Sequence, residues 1–199
     1  DVQGINSKNS TTLSGIDSSS VTVGTMNATF ANNSNFTGTK ATSNQSGVKV
    51  GSFLLSTGEE SVTLQSLNVT LTPGSGLNMS NVTNYRLMDG TTQIWSQSNL
   101  GSGSSTAIIN GNPYIDISAN TTKTYDVFVD FNNAGATGTL AVTGTATYRG
   151  IISFSSTTTG PLAAQNTTLA TPALASVVKS ASSLSNRYVV GGSLGNTAV

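Results

Sequence analysis

Residues 122–131 alternate without a break: Tyr125, Val127, Val129 and Phe131 fall on one parity, and Thr124, Asp126, Phe128 and Asp130 on the other. Only an extended strand, whose successive side chains point to opposite faces, turns that order into one apolar face and one largely polar face. After Asn132-Asn133-Ala134-Gly135, a second run sets Leu140, Val142, Gly144, Ala146 and Tyr148 against Thr139, Ala141, Thr143, Thr145 and Thr147. The two runs read as a hairpin.

Period-two alternation recurs along the chain, and helical periodicity is nearly absent. Further strands are predicted at 21–30, 47–56, 85–88, 93–96, 106–109, 114–118, 150–154 and 173–179. Val62 and Leu64 lie on one parity, whereas Leu67, Val69 and Leu71 lie on the other, so the slip at Gln65-Ser66 predicts a β-bulge or a change of sheet. Asp89-Gly90, between Tyr85-Arg86-Leu87-Met88 and Thr91-Thr92-Gln93-Ile94-Trp95, is a tight-hairpin signal, because glycine accepts the positive φ of a primed turn. Trp95, the only tryptophan, reads as a core or sheet-covering aromatic. Short strands at this spacing predict an all-β, Ig-like antiparallel sandwich.

Composition narrows the chemistry. His and Cys are absent, which removes imidazole catalysis, thiol nucleophiles, disulfides and the commonest zinc ligands. Charged residues make up 8% and balance to zero, with no cluster of Lys/Arg to hold a nucleic acid. No run approaches the roughly 18 apolar residues of a spanning helix. Ser, Thr and Asn supply roughly two-fifths of the chain, far above the globular average. The chain opens on Asp1 without a leader-like stretch, which reads as a mature or trimmed chain. No G-x-S-x-G elbow, P-loop or dinucleotide fingerprint occurs, and Gly101-Ser102-Gly103-Ser104-Ser105 reads as a flexible loop. The expectation is a protein that is not an enzyme and takes no cofactor.

An internal repeat is legible. Val2-Gln3-Gly4-Ile5-Asn6-Ser7-Lys8-Asn9-Ser10-Thr11-Thr12 aligns with Tyr148-Arg149-Gly150-Ile151-Ile152-Ser153-Phe154-Ser155-Ser156-Thr157-Thr158 and agrees at Gly, Ile, Ser, Ser, Thr and Thr. The domain reading that follows is an N-terminal extension or first strand over 1–20, the sandwich over 21–150, and a partial second repeat over 151–199. That second copy lacks core strands, so Val177, Val178, Tyr188, Val189 and Val190 become candidate donor-strand residues for a neighbouring subunit. A head-to-tail contact of this kind builds a filament.

The stretches Gly51-Ser52-Phe53-Leu54-Leu55-Ser56-Thr57-Gly58-Glu59-Glu60-Ser61-Val62-Thr63-Leu64, Asn84-Tyr85-Arg86-Leu87-Met88-Asp89-Gly90 and Thr122-Lys123-Thr124-Tyr125-Asp126-Val127-Phe128-Val129-Asp130 resemble the Ig-like repeats of prokaryotic surface proteins. Such repeats occur in S-layer-like arrays and extracellular filaments, including pili and threads joined by donor strands. The resemblance covers about residues 47–150 and implies a structural subunit at the cell surface, polymerised with identical copies.

Asn-x-Ser/Thr sequons begin at Asn9, Asn27, Asn32, Asn35, Asn44, Asn68, Asn78, Asn81, Asn120 and Asn166, against about six expected by chance from composition. They make covalent N-glycans the second partner class, and Asn9, Asn32, Asn35, Asn78, Asn81 and Asn120 lie in loop-like segments. Glu59-Glu60 reads as a solvated turn, since neighbours on a strand face apart and cannot flank one glycosidic bond. Asp126 and Asp130, about 13 Å apart along a strand, are too distant to chelate one ion directly, and Asp130 with Asn132 and Asn133 lacks calcium-loop spacing. Lys49 or Lys123 could in principle form an isopeptide crosslink with a distant Asn. The alternative to a filament subunit is a carbohydrate-binding or adhesin module using Trp95, Tyr85 or Tyr114 as a stacking platform.

Overall fold

The computed structural model describes residues 2–3, 10–11, 26–103, 106–132 and 137–170. They form an all-β sandwich of two sheets, with a separate two-stranded hairpin near the N-terminus. That hairpin pairs β1 (Val2–Gln3) with β2 (Ser10–Thr11). The first sheet contains β3 (Ala28–Asn32), β5 (Val48–Thr57), β7 (Val82–Asp89), β8 (Thr92–Gln97) and β11 (Thr122–Phe131), in the order β3-β5-β11-β7-β8. The second contains β4 (Thr39–Thr42), β6 (Val62–Gly74), β9 (Ala107–Gly111), β10 (Ile115–Ile117), β12 (Gly138–Gly150), β13 (Ser156–Thr159) and β14 (Gln165–Ala170). Its backbone is the long β6–β12 pair; β9 and β10 share the far edge of β6, and β13 and β14 share the far edge of β12.

The alternating faces meet as expected. Phe53, Leu55, Leu87, Tyr125 and Val127 of one sheet are fully buried against Leu64, Leu67, Val69, Leu140 and Val142 of the other. Exclusion of these faces from water is the main stabilising term. The bulge predicted at Gln65-Ser66 is present, because Tyr148 pairs with Leu64 and Thr147 with Ser66, leaving Gln65 unopposed. The β7–β8 hairpin turns at Gly90, whose φ of 58° suits glycine. Trp95 is half-buried and packs on the core edge.

Three expectations are corrected. First, β11 and β12 are not a hairpin: β11 pairs with β5 and β7, while β12 pairs with β6, β13 and β14. Both apolar faces look into the same core from opposite sheets. Second, the sandwich does not stop at residue 150. β14 pairs with β12 and, in the only parallel pairing among the described residues, with β4. The Gln165 carboxamide ties the two sheets further: its Nε2 donates to the Ser52 carbonyl and its Oε1 accepts the Ser52 N–H, both at 2.7 Å. Third, of the strand predicted at 150–154 only Gly150 is in one, as the last residue of β12; residues 151–154 turn back, closed by the Gly150 N–H on the Ser155 carbonyl at 2.9 Å. The segment predicted at 173–179 lies outside the described residues.

The β1–β2 register has a counterpart. Val2 faces Thr11 and Gln3 faces Ser10; Tyr148 faces Thr157 and Arg149 faces Ser156. The aligned residues of the two segments thus make the same cross-strand pairs.

Candidate functional site

The turn after β12 is built by Glu60, the residue that sequence places in a solvated pair. Its carboxylate is buried, and Oε1 accepts the backbone N–H groups of Ile152 and Ser153, each at 2.6 Å. The Ser153 N–H foremost, with the Ser153 hydroxyl and the Ile152 N–H, holds the Glu60 carboxyl below its ordinary pKa against the opposing pull of desolvation. A carboxyl depressed in the folded state contributes stability that is complete above its unfolded pKa and is lost as pH falls through the folded value. Melting temperatures measured between pH 7 and pH 3 are therefore expected to fall more steeply for the native chain than for Glu60→Gln.

Glu60 presents the apolar tip of that turn to solvent. Ile152 is 71% exposed and Phe154 67% exposed, and Tyr114, immediately before β10, is 69% exposed. Phe154 and Tyr114 both have positive φ, 54° and 48°. A bulky residue in that region is a backbone outlier, and such outliers cluster where function requires them. The two rings border one hollow of about 270 Å³, with Thr63, Gln65, Asp116 and Arg149.

Sheet register explains how distant residues meet here. Asp116 on β10 and Arg149 on β12 both face Thr63 on β6, one from each side. The Thr63 hydroxyl donates to Asp116 Oδ1 at 2.6 Å, and the Arg149 guanidinium lies 4.7 Å from the centre of the Phe154 ring. The ion pairs among the described residues are Lys49–Asp126, Arg86–Asp130 and Lys123–Asp89, so Arg149 and Asp116 belong to none.

The other hollows have less chemistry to spare. One of about 310 Å³ lies over Arg86, Asn84 and Asp130, but Asp130 already accepts from Arg86 at 2.8 Å, Asn84 at 2.8 Å and the Gly47 N–H at 2.6 Å. Asp126 likewise accepts from Lys49 and from the Ser52 hydroxyl. These contacts account for both aspartates as structural acceptors. Lys49 and Lys123 are ion-paired to Asp126 and Asp89, with no Asn in contact with either amine among the hydrogen bonds described. Burial pushes the Tyr85 phenol up to about 12, and burial with the nearby Asp89 charge raises Tyr125 as well.

Of the proposed stacking platforms, Tyr85 is buried, Trp95 is half-buried and Tyr114 is open. Phe154 and Arg149 were not singled out from sequence. The repeat held their signal: where Arg149, Ile152 and Phe154 stand, the first segment has Gln3, Asn6 and Lys8. β1 and β2 keep the same register with Gln3 in the place of Arg149.

Among the sequons, Asn27, Asn35, Asn44, Asn120 and Asn166 are exposed, and Asn32, Asn68, Asn78 and Asn81 are half-buried. The Asn32 carboxamide donates to the Ala163 carbonyl at 2.8 Å, and Asn78 Oδ1 accepts the Ser80 N–H at 2.9 Å. Asn32 and Asn166 border one hollow of about 370 Å³. Asn9, Val177, Val178, Tyr188, Val189 and Val190 lie outside the described residues.

No protein-family profile and no curated protein matches this chain. Among solved structures it is similar to AvmM, which catalyzes macrocyclization in alchivemycin A biosynthesis, at 11% identity over 77% of this chain and 92% of that one, TM-score 0.39. It is also similar to a family 123 glycoside hydrolase from Clostridium perfringens, at 13% identity over 74% of this chain and 28% of that one, TM-score 0.32. A third is the collagen-binding domain of a Staphylococcus aureus adhesin, at 11% identity over 75% of this chain and 99% of that one, TM-score 0.29. Likeness at this level assigns no function. No helix among the described residues is long and apolar enough to cross a membrane.

Proposed function

We propose that this protein is a non-catalytic binding module of an extracellular surface protein and that it holds a glycan in the Tyr114–Phe154 hollow. The observation that carries this reading is the pair of exposed rings, both at positive φ, beside a carboxylate and a guanidinium that no ion pair among the described residues occupies. Aromatic faces stack on the C–H face of a pyranose, while Asp, Arg and Gln side chains accept from and donate to its hydroxyls. Abundant Ser, Thr and Asn with few charges fit a hydrated surface at the cell exterior. The experiment is calorimetric titration with oligosaccharides chosen from a glycan array. Tyr114→Ala is expected to weaken binding about tenfold, the order of one stacking contact. Absence of any saccharide binding, or an unchanged affinity in Tyr114→Ala, would sink the proposal.

A second reading has one observation in its favour. The shared register of the β1–β2 and β12–β13 hairpins supports a surface array built from repeats of one sandwich. Polymerisation by strand complementation remains the finer form of that reading, and negative-stain microscopy of the chain separates a fibre from a monodisperse particle.

A further inference from the structure

We infer that the hollow selects an acidic saccharide, with the sugar carboxylate taken by Arg149 and a hydroxyl taken by Asp116. This rests on the glycan reading above and names its ligand class. Asp116, Thr63 and Arg149 stand in one cross-strand row. Neighbouring strands lie about 4.8 Å apart, so the two charged residues are roughly 10 Å apart at the backbone, and their side chains flank the space over Thr63 from its two sides. The Thr63 hydroxyl holds Asp116 by Oδ1, which leaves Oδ2 to accept from a ligand hydroxyl.

Arg149 is the cation suited to the carboxylate. The other described arginine, Arg86, is closed on Asp130, Lys49 and Lys123 are closed on Asp126 and Asp89, and Lys40 lies on β4 at the opposite edge of the sheet from β10. Arg149 instead rests on the Phe154 ring, which orients a planar fork without neutralising it. Such a fork matches a carboxylate with two parallel hydrogen bonds. The hairpin does not need this charge, since Gln3 occupies the matching place in β1.

The test titrates the full chain with an oligogalacturonate and with its carboxyl-reduced, neutral counterpart at pH 7, and then repeats the acidic titration at raised salt. The native protein is expected to favour the acidic ligand at least tenfold, with the preference shrinking as salt rises. Arg149→Gln is expected to bring the two ligands level, by lowering the acidic affinity more than the neutral one, while leaving the melting temperature near native. Arg149→Lys should keep a reduced preference, because a point charge lacks the fork. Equal binding of both ligands by the native chain, abolished by Tyr114→Ala, overturns the acidic preference and leaves the module intact. If neither ligand binds and no array saccharide does, both readings fall together.

Discussion

Gly144→Val is expected to destabilise the sandwich by about 3 kcal/mol, the upper part of the usual range for overpacking a filled core. Gly144 sits in mid-β12, on the inward parity, and a Cβ placed there would lie 2.8, 2.9 and 3.1 Å from three carbons of the Phe53 ring. That ring is fully buried, and it packs on Phe30 with centroids 5.5 Å apart. Neither backbone can retreat: β5 is hydrogen-bonded between β3 and β11, and β12 between β6 and its other neighbours. For a domain of this size the loss corresponds to a fall of roughly 6–12 °C in melting temperature. Calorimetry should find Gly144→Ala less damaging than Val, and an unchanged melting point for Val would refute the packing argument.

Gln165→Leu should cost a comparable amount by a different route. The carboxamide fills the place of a strand partner for Ser52, taking its N–H and supplying a donor to its carbonyl. Leucine conserves bulk but leaves the buried N–H without its acceptor, whereas the carbonyl keeps the Asn33 N–H at 3.0 Å. One orphaned buried group costs about 1–3 kcal/mol, and the weakened carbonyl adds to that. The expected total is about 3 kcal/mol, read as a shift of the urea midpoint at unchanged slope. A fall in the slope would mean instead that β14 separates from the rest. Either result bears on the boundary expected at residue 150, since a β14 belonging to another unit would leave the midpoint where it was.

Alternation made the strand faces legible, down to the bulge opposite Tyr148 and the turn at Gly90. It misled at β11 and β12 because period two reports which side of a strand is apolar and carries no information about which sheet receives it. Glu60 was misread for a related reason. An acidic pair in a polar stretch looks solvated until a turn some ninety residues away delivers two N–H groups to it. The apolar neighbours Ile151 and Ile152 predict a strand running through Phe154, yet Glu60 holds that segment in a turn.

Local order along the chain therefore accounts for the all-β class, the inward-facing residues and the exclusion of imidazole and thiol chemistry. Those follow from side-chain geometry and from composition, which need no partner. The gathering of Thr63, Tyr114, Asp116, Arg149 and Phe154 does need one. It arises because β6 pairs with β10 on one edge and β12 on the other, a register set by long-range packing of the two apolar faces.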